Sequence, residues 1–307
     1  METILVLSVS NIIHKNPRHV NTLWRGPAPP GQGPRFLLTI WEIRYRIKNM
    51  PTNGFDLCDL HTHTTFSDGK MTPEEVLREA EARGCRVGIA DHCGRGSFQL
   101  SDNLKFDRYL EALAPLPLLR SAELDLGNPG RVTADRLARC DYLIAGVHSL
   151  EWPAPGTRAD FFDPEAELPD PGRLLGLMLA LIGEGAREHR FHILAHPGLL
   201  PVGLRDRGEE LLGDRWESGI IGLALEHGFA LEISSRWELP GRGLIRKAQR
   251  AGVRFSLGSD GHVRERMCRL DYSLAMVAEC GLGPGDLLAP APRAGVSSTT
   301  APTGCAR

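Results

Sequence analysis

The sequence predicts an α/β fold in which a parallel, barrel-type sheet is covered by helices. Three observations carry this. From about residue 55, short apolar runs alternate with polar turns and amphipathic stretches. Most of these runs are continuously apolar, as expected for strands buried on both faces. Metal-binding residue types then fall at the C-terminal end of one run after another, which is where parallel barrels carry their chemistry.

Residues 1–54 read as a poorly ordered extension, because Pro27-Ala28-Pro29-Pro30-Gly31-Gln32-Gly33-Pro34 suits neither a helix nor a central strand. Met50, just ahead of the first strand, is read as an alternative translation start. The core domain is placed at 55–282. Its first strand enters through Phe55-Asp56-Leu57-Cys58 and ends in Asp59-Leu60-His61-Thr62-His63. Ser67-Asp68-Gly69 is a turn. Thr72-Pro73-Glu74-Glu75 is a capping box with proline at the first helical position, and Gly84 ends that helix. Further strands are expected at 86–90, 118–122, 142–147, 191–195, 229–234 and 253–258. Helices are expected at 104–113, 174–187, 209–227, 243–251 and 270–280. The Pro-rich, acidic segment 151–171 reads as a long loop. Residues 283–307, rich in Pro, Ala, Ser and Thr, read as a disordered tail.

Composition narrows the function classes. A formal net charge of -2 over 307 residues gives no basic excess for holding nucleic acid by its backbone, so nucleic acid is not a favoured partner. No apolar run approaches a membrane span, and the first residues lack the basic region of a secretory signal. The seven cysteines are scattered without a Cys-x-x-Cys pair, which favours reduced thiols and a cytoplasmic location. Cys93, after Asp91-His92, reads as a small buried thiol.

The candidate metal ligands are His61, His63, Asp68, His92, Glu123, His148, His196, Asp260 and His262. His61 and His63 are two apart on a strand and share a face, and Asp260 and His262 repeat the spacing. Asp59, behind the first pair, is expected to orient a ring by taking its N–H. Three carboxylates and six imidazoles buried without a cation would be costly. At three or four protein ligands per ion, with one shared carboxylate, three divalent ions fit. His14, His19, His189, His192 and His227 lack the strand-end position and read as structural or surface residues. Asp125 reads as a solvated loop carboxylate rather than a partner of Glu123.

Taken together, Asp59-Leu60-His61-Thr62-His63 with Ser67-Asp68-Gly69, then Ala90-Asp91-His92, Ala122-Glu123, Gly146-Val147-His148, Ala195-His196-Pro197 and Gly258-Ser259-Asp260-Gly261-His262, resemble the ordered motifs of the PHP (polymerase and histidinol phosphatase) superfamily. The resemblance covers about 55–281. It implies a distorted (β/α)7 TIM-like barrel with a trinuclear site of Zn²⁺, Mn²⁺ or Fe²⁺ at the C-terminal strand ends. By position, one ion takes His61, His63, Glu123 and Asp260. A second takes Glu123, His148 and His196, and a third takes Asp68, His92 and His262. Some family members carry histidine where this chain has Asp68.

Three divalent ions offset by Asp68, Glu123 and Asp260 leave a site of roughly +3, a focus that attracts phosphate. The reading is a metal-dependent phosphoesterase that cleaves a small phosphorylated metabolite or nucleotide with metal-activated hydroxide. His61, His63, Glu123 and Asp260 stand at its reacting centre. One of Arg95, Arg236, Arg264 and Arg266, on loops beyond strand ends, is the candidate phosphate clamp. A nuclease or phosphodiesterase acting on nucleic acid is the alternative within the same chemistry. A non-catalytic metal-binding module is the alternative outside it, and it requires broken motifs.

Overall fold

Each turn of the chain that carries a strong local signal folds as that signal dictates. In the computed structural model, which describes residues 57–96 and 98–292, Thr72 caps helix α1 (Pro73–Ala82). Its hydroxyl accepts from the Glu75 amide at 3.3 Å, and the Glu75 carboxylate accepts from the Thr72 amide at 2.9 Å. The apolar stripe Val76 and Ala80 is buried. Asp102 caps α2 (Asn103–Leu113) by accepting from Leu104 and Lys105, and Asp170 caps α4 (Pro171–His189) by accepting from Arg173. Between them lies a one-turn helix, α3 (Ala134–Leu137), that the sequence reading passes over. The stretch expected at 209–227 breaks into α5 (Gly208–Leu211) and α6 (Asp214–His227). Glycine, which adopts positive φ without steric penalty, ends α6 at Gly228 (φ 77°) and α7 (Arg242–Ala251) at Gly252 (φ 90°). The last helix is α8 (Asp271–Cys280).

All seven predicted strand positions are occupied, and their mutual pairing is parallel. Strand β1 (Cys58–Thr62) pairs with β2 (Arg86–Ile89), and β2 with β4 (Leu119–Arg120). A second sheet runs β11 (Phe255–Gly258), β10 (Ala230–Ser234), β9 (Ile193–Leu194), β6 (Ile144–Gly146), β5 (Glu123–Asp125), β3 (His92–Cys93). The second and third predicted strands are each interrupted, giving β2 with β3 and β4 with β5. The two sheets meet again where Thr62 bridges Gly261, with His63 N–H donating to the Gly261 carbonyl at 2.9 Å. The arrangement is the TIM-like one the sequence predicts, with the strand C-termini of β1, β6, β9 and β11 gathered at one end.

Two apolar layers follow from this. Leu60, Ala90, Leu119, Tyr142, Ile144, Ile193, Ala195 and Ala230 fill the inside of the strand ring. The larger layer lies between strands and helices, with Phe106, Leu174, Trp216, Ile220, Leu231 and Phe255 at its centre.

Two readings need correction. Part of 151–171 is not loop: β7 (Ser149–Glu151) and β8 (Arg158–Asp160) form an antiparallel hairpin. Residues 283–288 still pack, through a 3₁₀ turn at Pro284–Asp286 and a bond from the Leu288 amide to the Phe255 carbonyl at 2.7 Å. The expectations for 1–54 and for 293–307 lie outside the described residues. Among the described residues, no helix is long and apolar enough to cross a membrane.

Candidate metal centre

Parallel strands deliver their last side chains to one rim, and this rim gathers all nine predicted ligands. Glu123 is the hub, fully buried at the start of β5. Its Oε2 lies 2.8 Å from His92 Nδ1, 3.3 Å from His61 Nε2 and 3.7 Å from His63 Nε2. Its Oε1 lies 3.1 Å from His196 Nε2 and 3.3 Å from His148 Nε2. Asp260 Oδ1 reaches His63 Nε2 at 3.2 Å and His61 Nε2 at 3.9 Å. Asp68, on the loop after β1 and half exposed, faces His262 Nε2 at 3.1 Å and His92 Nε2 at 3.6 Å.

The donors fall into three overlapping groups whose ligand atoms all lie within 4.8 Å of one another: His61, His63 and Glu123; His92, Glu123 and His148; and His63, Asp68, His92 and His262. The arrangement fits cations on its own chemistry. His61 Nε2 and His63 Nε2 are 3.0 Å apart, and His148 Nε2 and His196 Nε2 are 3.3 Å apart. Two nitrogens about 2.0–2.1 Å from one tetrahedral zinc would stand roughly that far from each other. His63 Nδ1 is buried without a hydrogen bond, and Glu123 Oε2 and His92 Nδ1, although 2.8 Å apart, make none of ordinary geometry. Buried polar atoms rarely lack such a bond, and a cation held among these atoms would satisfy them.

Burial and mutual charge set the protonation of the cluster. Burial pushes the Glu123 carboxyl up, but His148, His61 and His92 outweigh it and hold it well below the usual range. Burial lowers His61, yet Glu232 and Glu123 raise it well above the ordinary imidazole value. His148 is likewise opposed by burial but raised to about 9, chiefly by Glu123. His63 goes well below, because burial and the neighbouring His262 and His92 act in the same direction.

The backbone is strained where it presents two of the ligands. His196 has φ 29° and Asp260 φ 47°, left-handed values uncommon for non-glycine residues. Supporting bonds hold them there. His196 N–H donates to Glu232 Oε2 at 2.6 Å, and Trp237 Nε1–H donates to Asp260 Oδ2 at 2.6 Å.

Glu232, in the middle of β10, is a site residue that the sequence reading overlooks. Its Oε1 accepts from His61 Nδ1 at 2.8 Å, which leaves His61 Nε2 as the lone-pair nitrogen facing Glu123. The available signal was a lone carboxylate inside the apolar run Ala230-Leu231-Glu232-Ile233. Gly258 makes room for it: a Cβ there would meet Glu232 Oε1 at 1.9 Å. We expect Glu232→Ala to weaken zinc binding by about 10–100-fold and Glu232→Gln to weaken it less, measured by competition with a chromophoric chelator. Equal affinity of Glu232→Ala and wild type would remove Glu232 from the site. We also expect Gly258→Ala to cost about 1–3 kcal/mol in urea unfolding, since the wall it meets is buried.

Asp59 does not orient a histidine ring, contrary to expectation. Its carboxylate accepts from Ser259 N (2.9 Å), Ser259 Oγ (2.5 Å) and Cys268 N (3.0 Å), pinning the loop that carries Asp260. The register of β1 slips between Asp59 and Thr62, so simple alternation fails there. Asp91 plays the same part for the Asp68 loop, accepting from Thr64 N, Thr64 Oγ1 and Ser67 Oγ. Asp125 is buried instead of solvated and stands 3.9 Å from His148 Nδ1. Cys93 is a buried thiol, as read, pushed up to about 12 by burial.

Of the four candidate arginines, Arg236 lines the cavity over the ligands, with Nη1 3.5 Å from Asp260 Oδ1. Arg264 is engaged by Glu79 and Glu75, and Arg95 by the Pro129 carbonyl. Arg266 is exposed on its loop.

Among solved structures, this chain is similar to the histidinol phosphate phosphatase of Lactococcus lactis subsp. lactis Il1403, complexed with zinc, L-histidinol and phosphate. The TM-score is 0.53 at 17% identity, covering 76% of this chain and 96% of that one. At this identity the likeness shows a shared fold. The putative histidinol phosphatase of Listeria monocytogenes is also similar, with TM-score 0.50 at 15% identity over 69% of this chain and 97% of that one. No protein-family model matches the chain, and no curated protein does.

Proposed function

We propose that this chain is a metal-dependent phosphoesterase that hydrolyses the phosphate ester of a small metabolite or nucleotide. The observation that carries the reading is the convergence of five imidazoles, His61, His63, His92, His148 and His196, on one buried carboxylate, Glu123, with Asp260, Asp68 and His262 set against the same cluster. His61, His63, Glu123 and Asp260 would hold one divalent ion. Glu123, His148 and His196 would hold a second, and Asp68, His92 and His262 a third. Bound, the ions would supply positive charge for the phosphoryl oxygens and lower the pKa of water towards neutrality.

The chain's own residues do the rest. Glu232 fixes the tautomer of His61. Trp237 fixes the Asp260 carboxylate, and Asp59 and Asp91 pin the two ligand-bearing loops. Arg236 stands at the mouth, where a guanidinium suits phosphoryl oxygens. In the overall reaction the water oxygen forms the new P–O bond, the ester P–O bond breaks, and the released alkoxide oxygen takes up a proton from that water to leave as the alcohol.

The cavity over the ligands measures about 380 Å³, at the small end of the roughly 300–1,000 Å³ typical of small-molecule sites. That size favours a small monoester over a nucleic-acid strand. The fold shared with a histidinol phosphate phosphatase supports the same reading. The test is a screen of phosphate monoesters, diesters and short oligonucleotides with Mn²⁺ or Zn²⁺ supplied. Turnover of monoesters is expected, with loss of turnover in His61→Ala and Asp260→Ala. Absence of turnover across all three classes would refute the proposal.

A further inference from the structure

The cavity that exposes the ligand cluster also has exposed aromatic faces to which the metal chemistry gives no part. Phe98 is 75% exposed and Phe162 48% exposed, and both line this cavity. Large exposed aromatic faces that share one concave site mark a place where an apolar partner is covered on binding.

The wall is preset. Phe162 follows hairpin strand β8, and its amide donates to the Asp160 carboxylate at 2.9 Å. Its ring lies 6.1 Å from that of Trp237 and 6.0 Å from that of His148. Trp237 is held by its bond to Asp260 and stands 6.2 Å from the His196 ring. Arg205 backs both rings, its guanidinium carbon 5.1 Å from the Phe162 centroid and 5.0 Å from that of Trp237. Arg205 is itself tied to the Leu200 and Phe161 carbonyls at 3.0 and 3.3 Å. The nearby charges of Arg158 and Asp160 pair with each other at 3.7 Å.

The wall therefore stands beside His148 and His196, whereas Asp68, His92 and His262 form the other end of the cluster. A phosphoryl group facing the ligands would leave the organic half of its ester against the rings. We propose that Phe162 and Trp237, backed by Arg205 and with Phe98 lining the same cavity, form the leaving-group subsite and select phosphate monoesters whose organic half carries a planar aromatic ring. This rests on the phosphoesterase reading above and names its substrate class.

The test compares phenylphosphonate with methylphosphonate, which share the charged head and are not hydrolysed, by calorimetry on metal-loaded protein. Phenylphosphonate should bind at least about tenfold tighter, as stacking and burial of one ring allow. Phe162→Ala should bring the affinity ratio to within about threefold of unity, and Phe162→Tyr should restore it. Phe162 is exposed enough that its loss should leave the circular dichroism spectrum unchanged. A ratio near one in the wild type, failure of both probes to bind, or a ratio unmoved by Phe162→Ala and Phe98→Ala overturns the subsite. The two readings fail separately. Ring-selective binding without hydrolysis of any ester removes the phosphoesterase and keeps the subsite. Hydrolysis of aryl and alkyl esters with equal kcat/KM, without ring-selective binding, removes the subsite and keeps the phosphoesterase.

Discussion

Glu123→Gln is expected to lower aryl phosphate turnover by about 10³-fold or more and to release at least one equivalent of bound metal. Glutamine keeps the length and volume of glutamate, so packing around β5 is retained. What it loses is the charge. The wild-type carboxylate turns Oε2 to His61, His63 and His92 and Oε1 to His148 and His196. No other carboxylate of the cluster faces that many imidazoles. An amide in its place would aim an N–H₂ group at nitrogen lone pairs meant for a cation. Metal content by atomic emission, turnover of a generic aryl phosphate and circular dichroism should be measured on one preparation. Full metal content with turnover within tenfold of wild type would show that Glu123 is not the bridge.

Chelation should produce the second large effect. A ligand that binds the folded state at 1,000 times its Kd stabilises it by about 4 kcal/mol. For a domain of this size each kcal/mol moves Tm by roughly 2–4 °C, so removing the ions should lower Tm by about 8–16 °C. The pH trends of the two forms should have opposite sign. In the metal-free protein His61 and His148 are raised by Glu232 and Glu123 against the effect of burial, His148 to about 9. A histidine raised in the folded state contributes stability below its unfolded value, about 6.5, and loses that contribution as pH climbs through the folded value. Metal-free Tm should therefore fall between about pH 6.5 and 9. Metal binding must displace those protons, so affinity should rise over the same window. Calorimetry in buffers of different ionisation enthalpy should detect the released protons. A Tm indifferent to chelator would count against any metal held by this cluster.

Structure is legible in this chain's residues where the information is local. Thr72 with Glu75 caps a helix because the bonding partners lie three residues apart. The nine candidate ligands are legible because parallel strands end on a common rim, and strand ends are visible as the last polar residues of apolar runs. Glu232 escaped notice because its role depends on His61, far away in sequence, and on the space that Gly258 leaves. Asp59 was misread because one register slip in β1 turns it from the histidines to Ser259 and Cys268. The β7–β8 hairpin was hidden by its prolines and acidic residues, which usually punctuate loops.

What the sequence determined by itself, then, is the alternation of strands and helices and which candidate ligands stand at the strand ends that converge. Both follow from patterns that repeat along the chain. The tertiary structure alone decided which oxygen of Glu123 faces which ring, which carboxylates brace the ligands, and which aromatic side chains wall the cavity. Those are contacts between side chains distant in sequence, fixed by the distances at which packed strands and loops meet, and no local pattern encodes such distances.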